Sequence, residues 1–318
     1  MKSTRSGPLL LVTAIATAGF TATAGAQPLN RNLSQYCIFA QRSLSLKNIH
    51  VDNACNVGVN CAQPSSNSSC GTASFEDTRF ADDTQMAADK LNLQRAGAVF
   101  WQLFTNKPFN AANATVNQPP VQTFTTPIIA GTCDASCNAD PSAIETFCNF
   151  PNPFPPCDPT KLVTANEGAD CPPFDSSPGN GACDLPPGTY GDVVVKNGAT
   201  INFAAGAYNV CSLALGQHAN ATGGSTEINI ADNGFFRVNN DSRFGQQRCG
   251  DFIVRVEDQG TVNFGRRVVL QAQVCAPRSS VNLGHGNVLL GQFIGLDVNS
   301  DRDNSVKICK ECVCVDDP

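Results

Sequence analysis

The segment Asp297-Val298-Asn299-Ser300-Asp301-Arg302-Asp303-Asn304 carries oxygen side chains at alternate positions: Asp297, Asn299, Asp301 and Asp303. Oxygens at that spacing can converge on a hard cation, and Ca2+ loops use such a spacing. An EF-hand would need Gly at the sixth position, where Arg302 stands, and Glu at the twelfth, where Ile308 stands. The four residues are therefore candidate Ca2+ ligands, with a solvated polar turn as the competing reading. A second group, Cys309, Cys312 and Cys314 in CKECVC, offers thiolates suited to a soft metal. The third chemistry is polysaccharide cleavage. A lyase needs acids that gather Ca2+ and a base beside the sugar carboxylate, and a hydrolase needs two carboxylates facing one glycosidic bond. Asp241, Arg243, Asp251, Arg255, Arg266 and Arg267 supply such groups, but in no lyase or hydrolase motif. His50, His218 and His285 are too scattered to suggest a zinc site.

Before any of these groups can act, the chain must place them. Residues 1–26 read as a signal peptide: Lys2 and Arg5 precede the apolar run Leu9 to Phe20, and Ala24-Gly25-Ala26 gives an A-x-A cleavage site. The apolar run is short for a membrane span, so an uncleaved anchor is the alternative and no membrane span is expected in the mature chain. Of the 318 residues, 292 then remain, and their formal charge is −8, because the leader carries two basic residues and no acid while the whole chain stands at −6. That balance argues against nucleic acid or an anionic membrane surface as partner.

All 16 cysteines follow the leader: Cys37, Cys55, Cys61, Cys70, Cys133, Cys137, Cys148, Cys157, Cys171, Cys183, Cys211, Cys249, Cys275, Cys309, Cys312 and Cys314. An even count behind a secretory signal reads as a disulfide framework in an oxidising compartment, with connectivity open. The same reading competes with a thiolate metal site at the last three.

The most regular part is residues 188–318, read as the main coils of a solenoid with a Cys-rich C-terminal cap. The triplet apolar–Asn–apolar recurs at Ile201-Asn202-Phe203, Ile228-Asn229-Ile230, Val262-Asn263-Phe264 and Val281-Asn282-Leu283, with a partial copy at Val298-Asn299. A period near twenty residues that tolerates insertions marks a solenoid, and Arg243-Phe244-Gly245 stands for a missed copy in the longest gap. Strand alternation puts the apolar flanks on one face and Asn on the other. Short Val, Ile and Phe runs separated by Gly and Asn favour strands over helices. The expectation is an all-β chain, a right-handed parallel β-helix.

Residues 119–187 differ in kind. They hold 14 of the 20 prolines and six of the cysteines, and proline cannot donate to a central ladder. This stretch is expected to be a disulfide-stapled insertion, with a small separate domain as the alternative. Residues 27–118 are expected to supply an N-terminal cap and the first coils. Leu91-Asn92-Leu93 repeats the triplet, while Thr84 to Lys90 allows a short capping helix.

The stretch LPPGTYGDVVVKNGATINFAAGAYNVCSLALG, Leu185 to Gly216, resembles a module of exported bacterial β-helix proteins, with the pattern L-P-P-G-x-Y, strand, N-G-A-x, strand, A-G-x-Y-x-x-C-x-L. ADKLNLQRAGA resembles an earlier coil of the same module. The resemblance covers about half of the mature chain and implies location and fold, with no activity to carry over. Function is therefore expected to be that of a secreted, periplasmic or cell-surface structural or adhesive interaction protein without catalysis. Extracellular polysaccharide or surface proteins are the expected partners. A carbohydrate-binding or polysaccharide-degrading protein, with calcium as a cofactor, is the alternative.

Overall fold

The structure is a computed structural model that describes residues 28–308 apart from 53–54, 63–67, 95–97, 110–113, 118–122, 125–126, 130–132, 134–136, 138, 167–181, 232, 246–251 and 258. The leader, Cys171, Cys249 and the group Cys309, Cys312 and Cys314 lie outside the described residues. The protein is nearly all β, and its named strands pair in parallel within one sheet. No helix among the described residues is long and apolar enough to cross a membrane.

The strands fall into three ladders, because each strand pairs with one a circuit of three elements later. The first ladder runs through Asp192–Val195, Ser212–Leu215, Phe235–Val238 and Thr261–Phe264 to residues 280–283 and 297–300. The second runs through Ala182–Leu185, Thr200–Phe203, Asn220–Gly223 and Arg243–Phe244 to residues 269–272 and 288–290. The third runs through Gly188–Thr189, Gly206–Val210, Thr226–Ile230 and Phe252–Val256 to residues 273–276 and 292–295. Alternate side chains of every strand turn inward, so Ile201, Phe203, Val262, Phe264, Val281 and Leu283 are buried while Asn202, Asn263 and Asn282 are not. A file of aromatic contacts follows the stack: Phe203–Phe252, Phe252–Phe244, Phe244–Phe236, Phe236–Phe264 and Phe264–Phe293, with ring centroids 4.9–6.3 Å apart.

The triplets do not mark one position of a single repeat. Asn202 is on the second ladder, Asn229 on the third, and Asn263, Asn282 and Asn299 on the first. Arg243 and Phe244 pair with Asn220 and Ala221 on the second ladder, so they are not the missing copy between Asn229 and Asn263. The irregular spacing follows, since the same half-buried pattern suits a strand on any of the three faces.

The N-terminal strand Tyr36–Lys47 occupies the interior of the stack. It pairs on one side with Val288–Ser300, as Ile38 with Phe293 and Leu44 with Val298, and on the other with Asn56–Val59 and Thr72–Glu76. The strands of residues 36–116 thus continue the ladders beyond the C-terminal strands, and one apolar core crosses the junction, with Phe293 and Val298 sharing a cluster with Leu46 and Phe75. The capping helix allowed at Thr84 to Lys90 is absent. Gln85–Ala88 is a strand of the third ladder, and Lys90–Gln94 is a strand of the first, because their alternation meets a strand edge ready to pair.

The Pro/Cys-rich stretch returns the chain along the outside. Cys133 and Cys137 bond Cys61 and Cys70 beside the N-terminal strands, Cys148 bonds Cys275, and Cys157 bonds Cys211, so successive disulfides follow the stack. This strap includes one short helix, Ser142–Phe147, and covers a second apolar cluster of Leu33, Tyr36, Phe39, Ile144, Cys148, Cys275 and Ile294 on the outer face of the third ladder. It ends in Val163–Ala165 and Ala182–Leu185, each paired on one side only among the described residues, as suits edge strands among prolines. The remaining described cystine pair is Cys37–Cys55, and Cys183 is also disulfide-bonded.

Gln41 turns the corner between the third and first ladders, where its carbonyl accepts from the Cys61 N–H at 3.0 Å. Its side chain is fully buried, and neither amide atom has a hydrogen-bond partner among the described residues. Gln41→Leu is expected to raise the unfolding free energy by about 1 kcal/mol, because a desolvated amide without partners is worse than a hydrocarbon of similar size. A thermal melt of the variant checks this, and a lower midpoint counts against it.

Candidate functional site

The turn from the first ladder to the second carries most of the charged candidates. In each circuit it passes through one residue of positive φ: Gly198, His218, Asp241, Arg267, Gly286, Asp303, Asn48 and Asp77, with φ between 41° and 72°. Gly, Asn and Asp tolerate that region best, which is why the turns read NG, HG, ND and RD in sequence. The stack brings each such residue over the next. Arg267 donates from Nη2 to Asp241 Oδ2 at 2.7 Å, and His285 Nε2 lies 3.4 Å from Asp303 Oδ2. The hydrogen bond from Arg267 holds the Asp241 carboxyl below the usual carboxylate range, and Asp241 in turn raises the Arg267 guanidinium. A general acid needs the opposite shift. Asp241 therefore contributes stability above about pH 4, the ordinary carboxylate value, and that contribution is lost as pH falls through its lower folded value. Asp241→Asn is expected to leave less of a difference from wild type at pH 2 than at pH 6 in denaturant titrations. A gap that widens on acidification counts against the pairing.

The four candidate calcium ligands are not gathered. Asp297 and Asn299 stand two residues apart on the strand Val288–Ser300, while Asp301 and Asp303 follow on the turn. Asp297 is buried and is taken by a forked contact with Arg42, whose Nε donates to Oδ1 at 3.0 Å, and by the Ser43 hydroxyl. That hydrogen bond raises the Arg42 guanidinium. Asn299 donates to Asn282, and Asp303 accepts from the Asn48 amide. Among the described residues, metal-type ligand atoms gather in threes only at Cys61, Cys70 and Cys137, within 4.8 Å. Those sulfurs belong to two neighbouring disulfides.

The remaining enzyme candidates divide likewise. Asp251 lies outside the described residues. Arg255 is almost fully buried under the strap, with Nε donating to the Cys148 carbonyl at 2.6 Å and Nη1 to Glu227 at 2.9 Å and Asn229 at 3.2 Å. Arg266 is exposed on the turn. The asparagines are used along the stack: Asn282 donates to Asn263 at 2.9 Å, Asn229 to Asn209 at 3.0 Å and Asn202 to Asp184 at 2.9 Å. Each such bond ties one circuit to the next.

Several clefts open on the outside, among them one over the second ladder and one under the strap. One, of about 620 Å3, crosses the second ladder over Asn220, Thr222, Arg243, Gln271, Val288 and Leu290, and no carboxylate stands among its described lining residues. The other, of about 370 Å3, lies between the strap and the end of the third ladder. Ser142, Glu145 and Thr146 of the short helix form one wall, Phe150, Asn152 and Phe154 of the strap a second, and Glu257 and Arg278 the third. Arg278 Nη2 sits 3.0 Å from Glu145 Oε1, and the Phe150 and Phe154 rings are 5.8 Å apart and tilted by 39°. Sequence patterning gave no sign of this second cleft. Its residues come from three distant segments joined by a disulfide whose pairing the sequence left open. Set against protein-family models, curated proteins and solved structures, the chain matches none of them.

Proposed function

We propose that the chain is a right-handed parallel β-helix of an oxidising, extracytoplasmic setting that serves as a secreted, periplasmic or cell-surface structural and adhesive protein, without catalysis of its own. Three parallel ladders around one apolar core support the fold, and the disulfides fit an oxidising compartment. The function rests on the outer face of the first ladder. Thr261, Asn263, Ser280, Asn282, Asn299 and Ser45 form a strip of hydroxyl and amide groups held in register across successive strands. Its acid, Asp297, is closed off by Arg42. A strip of short, uncharged hydrogen-bonding groups suits contact with another polymer surface better than bond cleavage.

The test is a glycan array together with a polysaccharide-degradation screen on the purified protein. Binding without degradation supports the reading. Asp241→Ala and Asp297→Ala are each expected to leave that binding within a few-fold of wild type. A cleavage activity that either substitution abolishes, in a protein that still folds, makes the reading wrong. The carbohydrate-directed reading has its own observation, the cleft beneath the strap, where aromatic rings meet paired carboxylates and a guanidinium.

A further inference from the structure

We propose that the cleft beneath the strap binds a neutral pyranose unit of an extracellular polysaccharide. This rests on the carbohydrate-binding reading and assigns it a place. A pyranose offers an apolar C–H face and a rim of hydroxyls that both donate and accept. The cleft supplies a matching pair of surfaces. Phe150 and Phe154, half-buried and tilted by 39°, form a shallow aromatic V. Glu145, Glu257, Arg278 and Asn152 stand around it with planar polar groups of the kind that meet sugar hydroxyls. The lining joins two rings to six polar side chains, and about 370 Å3 falls within the roughly 300–1,000 Å3 of small-molecule sites.

The charges disfavour an anionic ligand. Glu145 is paired with Arg278 at 3.0 Å, and with Glu257 the lining carries more carboxylates than cations. That same pairing leaves fewer carboxylates for a cationic ligand held over the rings.

The walls are also fixed in advance. Cys148, one residue beyond the helix, is bonded to Cys275, and its carbonyl is held by buried Arg255. The Phe150 N–H donates to the Glu145 carbonyl at 2.9 Å. A site ordered before the ligand arrives loses little in ordering it.

The test uses isothermal titration calorimetry of the full protein with cellohexaose, mannohexaose and maltohexaose, beside an oligogalacturonide and tetramethylammonium. Wild type is expected to bind at least one neutral hexaose. Phe154→Ala should weaken that binding at least tenfold and Phe154→Tyr should keep it. Glu257→Gln, close to it in shape, should weaken it several-fold in a protein that still folds. Gln271→Ala, in the other cleft, should leave it alone. If a hexaose binds equally well to Phe154→Ala and Glu257→Gln, the cleft assignment is overturned while the carbohydrate reading stands. If no saccharide binds wild type, both fall. Stronger binding of the oligogalacturonide or of tetramethylammonium overturns the ligand class.

Discussion

Replacing Cys148 and Cys275 together by Ala is expected to lower the unfolding free energy by about 2–5 kcal/mol. The bond joins residues 127 apart in sequence, and its loss returns loop entropy to the unfolded chain. Its loss also acts on the folded state. Both sulfurs belong to the apolar cluster between the strap and the third ladder, beside Ile144, Phe39 and Ile294, so two alanines leave part of that space unfilled. The ladders have their own core, and the variant should therefore fold, with the strap loosened around the helix Ser142–Phe147. A denaturant titration gives the size of the effect. Limited proteolysis gives its place, with new cuts expected between Cys137 and Cys157. An unchanged midpoint would mean that the strap is held by its other contacts.

Arg255→Ala is expected to cost about 2–5 kcal/mol, because two buried acceptors lose their donor at about 1–3 kcal/mol each. Its side chain is 2% exposed whereas that of its partner Glu227 is 50% exposed, so the ion pair itself is half in water and worth little. The larger loss is of hydrogen bonds. The Cys148 carbonyl and the Asn229 amide oxygen both accept from Arg255 under the strap, and buried acceptors left without donors carry a full desolvation penalty. Arg255→Met should recover the volume and only part of the stability, while Glu227→Gln should change it by less than about 1 kcal/mol. Equal effects of Arg255→Ala and Glu227→Gln in chemical denaturation would show that the half-exposed ion pair, and not the carbonyl contact, holds the strap.

The patterning of single strands was legible in the sequence. At Ile201-Asn202-Phe203 or Val281-Asn282-Leu283 the alternation alone decides which side chains enter the core, and those residues are buried as the alternation requires. The order in which strands stack was not legible. Every strand presents the same half-buried edge, so nothing local tells Leu44 to pair with Val298 on one side and Ala73 on the other. Asp297 illustrates the consequence. Among Asn299, Asp301 and Asp303 it looks like a cation ligand, yet Arg42, its partner, is 255 residues away and reaches it only through that pairing. Arg255 is a similar case. It sits at an outward-facing position of the third ladder, which meets solvent in an ordinary strand and here meets the strap. The cleft beneath the strap depends on which cysteines pair, and spacing alone does not decide that.

The position of the strand Tyr36–Lys47 bears on how the chain comes together during synthesis. Ribosomes deliver residues 36–47 long before their partners 288–300. Until those partners emerge, Ile38, Leu44 and Leu46 have an unfilled edge on one side. Closing that pairing brings together residues 255 apart, as Arg42 and Asp297 are, and so long a loop slows folding. Until then the nascent chain exposes an apolar edge strand to chaperones or to aggregation. The arrival of residues 288–300, not local collapse, sets the moment at which the two halves can meet.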